Sequence, residues 1–455
     1  MSVNPVAGFW VPDPGAYPGP RYLAIVRSIR DAISTGQLKP GDRLAPQREM
    51  AWALQLNLST ITGAYREAAR QHLVAGEVGR GTYVLANSTE AALYEMKATR
   101  DGFFDLSTNV PVSNIEFCNL SRDLAAVLLR EPDLQKLSYC PADLLLRSKL
   151  AIANWFGHRH YFPEAQQIFP CPGAQHALHL ALDMLTQPGD AVLVEELSFP
   201  GLRSIARQLG ILLYPVRLDD QGVIPEDLGR AVRASGAKIV VLQPVSQNPT
   251  GATMGEQRRT DVQRILNKHK LELIEEDVYG DFGTHPPLIA SYGQRGVLVG
   301  GFSKSVAPGV RFGFLIIGEG NDLPCPDIDR TSWSMVPLMM ALVTFWLENG
   351  TARSLANWQI RETTARHALV RNRFAKMIKL PSCRSLHVWW PLHDGDEFAN
   401  IAANAGVSIV PASYFGYGRH APQGVRLCLT APDTRSKLSE ALTILTEIYR
   451  EYQRE

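Results

Sequence analysis

The 455-residue sequence has no run of about 18 apolar residues, which excludes an ordinary membrane-spanning helix. Its first twenty residues, MSVNPVAGFWVPDPGAYPGP, lack the charged start and apolar stretch of a secretory signal, so a cytoplasmic location is expected. Cysteine is scarce. The six thiols, Cys118, Cys140, Cys171, Cys325, Cys383 and Cys428, show no CxxC spacing and read as reduced side chains. Among eleven histidines, His158/His160 and His176/His179 have no thiolate or carboxylate set nearby, and no metal site is expected. Nor is one sign of charge in excess. The 46 basic and 45 acidic residues leave a formal net charge of +1, which argues against an all-over basic coat for nucleic acid. Internal repeats and low-complexity tracts are absent as well.

What is there is ordinary globular material: 45% apolar and 20% charged residues, in a chain long enough for about two to four domains. Residues 1–20 are rich in Pro and Gly and read as an irregular lead-in. Residues 21–85 are patterned as a small unit. Tyr22, Val26, Ile29 and Ile33 recur at helical spacing up to Gly36, and Lys39-Pro40-Gly41-Asp42 is a turn. Pro46 opens a second helix through Leu54. Asn57 or Ser59 caps a third, with Ile61, Ala64, Tyr65 and Ala68 on one face. Glu77-Val78 and Thr82–Leu85 flank a Gly79-Arg80-Gly81 turn, a small hairpin. Residues 86–104 carry no period and read as a linker. From 105 to 455, β-rich runs alternate with helical stretches: Ala191–Val194, Ile211–Val216, Ile239–Leu242, Leu271–Ile274, Val297–Phe302 and Phe312–Ile317. This α/β alternation implies a mostly parallel sheet flanked by helices. A last α/β segment, about 380–455, suggests a smaller C-terminal subdomain.

Charge counted locally reverses the impression left by the total. Residues 21–85 hold nine basic and five acidic side chains, while the rest of the chain holds 37 basic and 40 acidic. Positive charge is thus concentrated in three short helices and a hairpin, as phosphate binding requires. The string GQLKPGDRLAPQREMAWAL, followed by STITGAYREAARQHLVAGEVGRGTYV, resembles the winged helix-turn-helix domain of GntR-type transcription regulators. That resemblance implies DNA contacts from Arg48 on the second helix and from Ser59, Thr60 and Thr62 at the start of the third. By the same resemblance Arg66 would add a phosphate contact and Arg80 would be the wing tip. Hydroxyls at a helix N-terminus suit this role. Two positions depart from the family pattern: Gly63 stands where an Arg is common, and Ala45 where a Leu is usual. The competing reading is a vestigial or protein-binding winged helix.

The body carries four strings in order. Pro172-Gly173-Ala174-Gln175-His176 opens a helix whose N–H groups suit a phosphate. Gln247-Asn248-Pro249-Thr250-Gly251 and Glu275-Glu276-Asp277-Val278-Tyr279 follow strands. Gly301-Phe302-Ser303-Lys304-Ser305-Val306-Ala307-Pro308-Gly309-Val310-Arg311 places a lysine just after an apolar strand. A desolvated lysine beside other cations has a lowered pKa and can form a Schiff base. Together these strings resemble fold-type I, class I aminotransferase-like proteins, over about 105–455.

The resemblance implies pyridoxal 5'-phosphate as cofactor, with Lys304 forming the internal aldimine. Ala174 and Gln175 N–H, Ser303 and Arg311 would hold the phosphate, and Phe199 would stack on the ring. Asn248 and Tyr279 would bond the ring hydroxyl, and Arg426 would clamp a substrate carboxylate. Tyr139 would reach a neighbouring subunit's phosphate in a homodimer. One departure bears on chemistry. The family places an Asp three residues before the tyrosine to keep the pyridine nitrogen protonated. That position is Glu276 here. Either Glu276 serves with one extra methylene, which the register favours, or Asp277 takes over through a shifted strand end. The glycines usual near Tyr139-Cys140-Pro141 are also missing.

The two halves together resemble MocR-type transcription regulators. The expectation is a DNA-binding regulator that senses an amino acid or amine by external aldimine formation at Lys304. Its linker would span up to about 65 Å fully extended, enough for domain exchange between protomers. The alternatives are an active aminotransferase with a DNA-binding head and a degenerate fold lacking cofactor.

Overall fold

The computed structural model describes residues 9–35, 37–38, 42–70, 73–77, 81–84, 103–112, 119–131, 133–134, 139–320, 335–374, 377, 385–417 and 421–453. Arg80 and all but the last two residues of the expected 86–104 linker lie outside these. The chain divides into two units, Met1–Met96 and Lys97–Glu455.

In the first unit, α1 (Arg21–Ser34), α2 (Gln47–Leu54) and α3 (Leu58–Arg70) pack around one apolar core. The i, i+3, i+4 spacing of Ile25, Val26 and Ile29 on α1 faces that of Ile61, Ala64 and Tyr65 on α3, and all six are buried. Tyr65 buries its phenol but donates it to the Ala45 carbonyl at 2.7 Å, so no polar atom is stranded. Pro46, which has no N–H to leave unpaired, precedes α2. Strands β1 (Arg43–Leu44), β2 (Val74–Glu77) and β3 (Gly81–Val84) form an antiparallel sheet in the order β1-β3-β2. Three helices and this small sheet make a winged helix-turn-helix.

The second unit begins with β4 (Phe104–Asp105), followed by α4 (Leu120–Arg130) and α5 (Ala142–Trp155). Its main sheet has seven strands: β5 (Ile168–Cys171), β6 (Ala191–Glu195), β7 (Leu212–Val216), β10 (Ile239–Leu242), β11 (Glu272–Glu276), β12 (Gly296–Gly301) and β13 (Gly313–Ile317). A two-strand ribbon, β8 (Leu218–Asp219) with β9 (Gly222–Val223), stands apart. The main sheet order is β5-β13-β12-β11-β10-β6-β7, parallel except where β13 runs antiparallel to both neighbours. The interior strand β10 reads Ile-Val-Val-Leu and is buried throughout, as a strand covered on both faces must be. Both edges carry a proline, Pro170 in β5 and Pro215 in β7, where a missing donor costs the ladder least. Helices α6 (Ala174–Leu185), α7 (Pro200–Leu209), α8 (Pro225–Ser235) and α9 (Glu256–His269) connect successive strands. Proline stands at the start of α7 and α8, where its fixed φ suits a first turn. The α10 turn (Ile289–Tyr292) precedes β12.

Helices α11 (Pro337–Glu348) and α12 (Thr351–Phe374) lead to a three-stranded sheet of β14 (His387–Pro391), β16 (Val410–Pro411) and β17 (Gly424–Cys428). Helices α13 (Gly395–Asn404) and α14 (Arg435–Tyr452) cover it, around Trp390, Phe398, Leu427 and Leu442. This smaller core also takes in Leu106, Val370 and Phe374. Strand β15 (Val407–Ser408) pairs in parallel with β4, so the start of the body is bound into its end. Residues 103–110 therefore pass between the large sheet and the smaller one, which sequence periodicity gave no reason to expect.

Candidate functional site

The candidate residues gather at one end of the large sheet. Gly173, Glu195, Asn248, Tyr279 and Lys304 follow the C-terminal ends of β5, β6, β10, β11 and β12 or terminate them. Side chains beyond strand ends converge there because the helices that return the chain start from the same edge.

At the start of α6, Gly173 has φ +92°, a conformation side-chain-bearing residues rarely adopt. A Cβ there would lie 2.7 Å from Arg311 Nη2, and one at Gly313 would lie 2.5 Å from Ala174 N. The arginine head is thus laid against a helix N-terminus. The first bond of that helix runs from Ala177 N to the Gly173 carbonyl, which leaves the Ala174 and Gln175 amides outside the helical ladder. Arg311 itself has φ +47°, a strained setting for a non-glycine residue, and its side chain is exposed. Half-buried Ser303 lies on the same segment as Lys304. A cationic fork, free-pointing amides and no room for a Cβ form a cradle whose donors suit a phosphate.

Lys304 donates to the Asn109 carbonyl at 2.6 Å. Burial pushes its amine down to about 8; Arg426 and Arg311 act in the same sense, while Cys428 and Glu276 oppose. About a tenth of it is therefore the neutral, nucleophilic form at pH 7, far more than for an ordinary lysine. Glu276 is pushed up to about 7 by burial, with Lys304 opposing. Its carboxylate has no hydrogen-bond partner among the described residues. Asp277 points the other way along the strand end and meets Arg159 Nη1 at 2.5 Å, with both side chains almost fully buried. Arg159 is held in turn by the His285 carbonyl at 3.0 Å. Of the two acids, Asp277 is already paired and Glu276 lies within electrostatic reach of Lys304. Glu195, also fully buried, is pushed up to about 8 and accepts from Gln247 Nε2 at 3.0 Å.

Tyr279 is buried, which raises its phenol, and its oxygen accepts from Asn109 Nδ2 at 2.6 Å. Asn248 Oδ1 accepts from Arg426 Nη1 at 3.0 Å, while Arg426 Nη2 donates to the Ser107 carbonyl at 2.6 Å. The Arg426 head also stacks on Phe415, 4.9 Å from the ring centre. Phe199 precedes α7 at a position so crowded that a Cβ on Gly201 would meet both its ring and Gln175 Oε1. Gln175 Nε2 donates to the Gly201 carbonyl at 3.0 Å. Tyr139, by contrast, is 72% exposed.

Asn109, His387 and Cys428 complete the group, and none was anticipated. His387 Nε2 lies 3.1 Å from the Gln247 carbonyl, and its Nδ1 lies 3.4 Å from Asn109 Nδ2. Cys428 Sγ approaches Asn109 Oδ1 at 3.7 Å. The one available signal was the polar run Asp105-Leu106-Ser107-Thr108-Asn109, where Asp105 accepts from both hydroxyls. That run marks a loop and gives no hint of its partners.

In the first unit, Arg48, Ser59 and Arg66 are exposed on α2 and α3, and Thr60 is half-buried. Thr62 turns inward and donates to Gln47 Oε1 at 2.8 Å, bracing α3 against α2. An open hollow of about 360 Å³ lies where α1 and α3 begin, lined by Arg21, Tyr22, Ser59, Thr60 and Gly63. Gly63 forms part of its floor, and a Cβ there would meet only Tyr22 Cβ, at 3.9 Å.

Comparison with known proteins now places the chain. The model of the aminotransferase class I and II family matches residues 116–445, so the chain belongs to that family, which is pyridoxal-phosphate-dependent. The model of the bacterial regulatory proteins of the gntR family matches residues 21–84, and such a domain implies DNA binding. This fusion is the MocR-type arrangement. The helix-turn-helix-type transcriptional regulator YdeF of Bacillus subtilis (strain 168) is 28% identical over 456 residues, 96% of each chain. The vitamin B6 salvage pathway transcriptional repressor PtsJ of Salmonella typhimurium (strain LT2) is 31% identical over 290 residues, 63% of this chain and 65% of its own. Among solved structures, an archaeal alanine:glyoxylate aminotransferase superposes with a TM-score of 0.69 at 23% identity, covering 79% of this chain and 93% of its own. That likeness concerns the fold.

Proposed function

We propose that the chain is a transcription regulator that binds pyridoxal 5'-phosphate and senses an amino acid or related amine at Lys304. The observation that carries this reading is the meeting of a partly neutral lysine with the Gly173–Arg311 cradle, in a chain that also holds a winged helix-turn-helix. Ala174 and Gln175 N–H, Ser303 and Arg311 would hold the phosphate. Phe199 would cover the ring, Asn248 and Tyr279 would face its hydroxyl, and Glu276 would face its nitrogen. When bound, the cofactor supplies an aldehyde carbon that exchanges one primary amine for another. The chain's part is to lower the proton affinity of the Lys304 amine, to exclude water from Glu276 and Tyr279, and to offer Arg426 to a carboxylate. To bind in this way, a carboxylate must take over the guanidinium from Asn248 and Ser107. That exchange couples ligand to the 103–110 segment and β17, and supplies the differential contacts that a ligand-driven switch needs.

The proposed division of labour is 1–85 for DNA, 86–104 as linker, and 105–455 for cofactor and ligand. DNA contacts fall to Arg48, Ser59, Thr60, Arg66 and, at the wing tip, Arg80; Thr62 would act by bracing the recognition helix. A homodimer is favoured by the apolar side chains left exposed on α4 and α5, Leu129, Leu145, Leu146 and Leu150. Paired heads would then read two half-sites in the cytoplasm.

The test is to titrate the purified protein with a library of amines while following cofactor absorbance and operator binding together. Linked changes in both signals are expected. Rapid conversion of the cofactor to its amine form, with turnover on adding a keto acid, would favour the aminotransferase alternative. That alternative stays open to test because Lys304, Tyr279 and Arg426 are all in place. No visible band in wild type, or a band unchanged in Lys304→Ala, would remove the lysine assignment. Glu276→Ala should shift the band more than Asp277→Ala, and the reverse order would hand the ring nitrogen to Asp277.

A further inference from the structure

A relay of hydrogen bonds with a fixed direction runs through the cleft, and it ends on Tyr279. It starts at the Gln247 carbonyl, which can only accept. His387 Nε2, 3.1 Å away, must therefore carry the ring's proton. The His387 side chain is fully buried, and burial holds the ring neutral. Its other nitrogen, Nδ1, is consequently an acceptor. Asn109 presents the neighbouring amide, and only its Nδ2 can donate to that acceptor, across 3.4 Å. The amide is thereby oriented. Its oxygen turns toward the Cys428 thiol, 3.7 Å away, and its second N–H reaches Tyr279 Oη at 2.6 Å.

The consequence falls on the phenol. A hydroxyl that accepts from Asn109 retains its own proton for another partner. Accepting that bond also polarises the O–H and makes it a stronger donor. The same Asn109 accepts from Lys304 Nζ through its backbone carbonyl, so one residue touches both groups. We propose that Asn109, oriented by His387, is a positioning residue that directs the Tyr279 phenol proton toward the bound cofactor. This inference rests on the reading of Lys304 and Tyr279 given above. It adds two residues that no motif marks, on the 103–110 segment and on β14.

The charged and titratable groups facing this pair are Arg426 and Cys428 from β17, Glu276 from β11, Arg311, and Lys304 itself. None of them replaces the amide as a donor to Tyr279 Oη in the structure. A phenol that donates to the cofactor's ring oxygen draws charge from it, and so makes the nitrogen at Lys304 easier to deprotonate. Loss of Asn109 should therefore move the pH midpoint of the visible band upward.

The experiment is a pH titration of that band in full-length protein loaded with pyridoxal phosphate. Wild type, Asn109→Ala, Asn109→Asp, His387→Phe, Tyr279→Phe and the double variant Asn109→Ala/Tyr279→Phe are compared. Asn109→Ala should raise the midpoint by about one unit, a tenfold change in proton affinity. Asn109→Asp should raise it further, because a carboxylate would take the phenol's proton for itself. His387→Phe should act in the same direction with a smaller shift. In the Tyr279→Phe background, Asn109→Ala should add nothing, which a merely structural role would not predict. Unchanged midpoints in Asn109→Ala and Asn109→Asp, with the band intact, overturn this proposal and leave the Lys304 reading standing. Absence of the band in wild type overturns both. If Asn109→Ala fails to fold, the Asn109→Asp and His387→Phe shifts decide alone.

Discussion

The two units place their candidate residues in opposite physical settings. In the head, Arg48, Ser59 and Arg66 stand on an exposed helical surface. In the body, Glu276, Tyr279 and Arg426 are buried, and Lys304 is hemmed in by protein. Exposed cations keep their charge and exchange counterions, so the head should answer to ionic strength. Buried acids and amines have shifted proton affinities, so the body should answer to pH and to what enters its cleft. A single chain is thus arranged to read a polyanion by surface charge and a small molecule by buried chemistry. The comparison is broken if, with no ligand bound, pH governs operator binding or salt governs the proton affinities of the body.

The largest expected effect tests the body's buried charge. Arg159→Ala leaves Asp277 without its partner in a site closed to water, which should cost about 3–5 kcal/mol. Denaturant unfolding of the body would measure it. A loss below 1 kcal/mol would mean that water reaches Asp277 and that the body is less dry than its geometry implies.

Next comes pH. Glu276 is raised from 4.5 to about 7 on folding. The folded state then binds the extra proton, so the contribution is fully present below the unfolded value and is lost as pH rises through about 7. In cofactor-free protein, Glu276→Gln should therefore gain on wild type as pH climbs from about 4.5 to 7, by up to about 3 kcal/mol. Stability curves of the two proteins at several pH values decide this, and parallel curves would refute the buried-acid reading. Operator binding by the head should stay flat over the same range.

A smaller effect concerns salt. Arg48→Ala should weaken DNA binding and lower the slope of log affinity against log salt by about 1. An unchanged slope would remove Arg48 from the phosphate contacts. Smallest is Gly63→Ala, which should stabilise the head by about 1 kcal/mol, since the added methyl meets only Tyr22 Cβ at 3.9 Å. Thermal unfolding of the head would show this as a raised midpoint. A destabilised variant would mean that the glycine is needed for the shape of the hollow beside Ser59 and Thr60.

Much of the fold was legible because its signals are local. The apolar run Ile239–Leu242 and its relatives marked strands, and Pro46 marked a helix start. Strand β5 was missed. Ile168–Cys171 is short and contains Pro170, features that belong to an edge and look like a loop in sequence. The Gly173, Asn248, Glu276–Tyr279 and Lys304–Arg311 strings were legible as chemistry because residue types recur in a set order. Asn109 was not, since its partners Tyr279, Lys304 and His387 lie 170 to 278 residues away. Thr62 stands beside Ser59 and Thr60 in sequence, and the fold adds a contact that spacing did not show, since one helical turn faces it toward Gln47.

The nearly balanced charge of the whole chain takes on a different meaning once distributed. By itself the sequence determined a basic head, an α/β body and an ordered set of cofactor-like motifs, because these depend on composition and on neighbours within a few residues. The tertiary structure alone decided which of two adjacent acids is paired with Arg159 and which lies near Lys304. It also decided that Arg426, Asn248 and Ser107 meet, and that a loop asparagine connects Lys304 to Tyr279. Strand alternation sends neighbouring side chains to opposite faces, and folding joins segments that the chain separates. Neither effect has a signature in linear spacing.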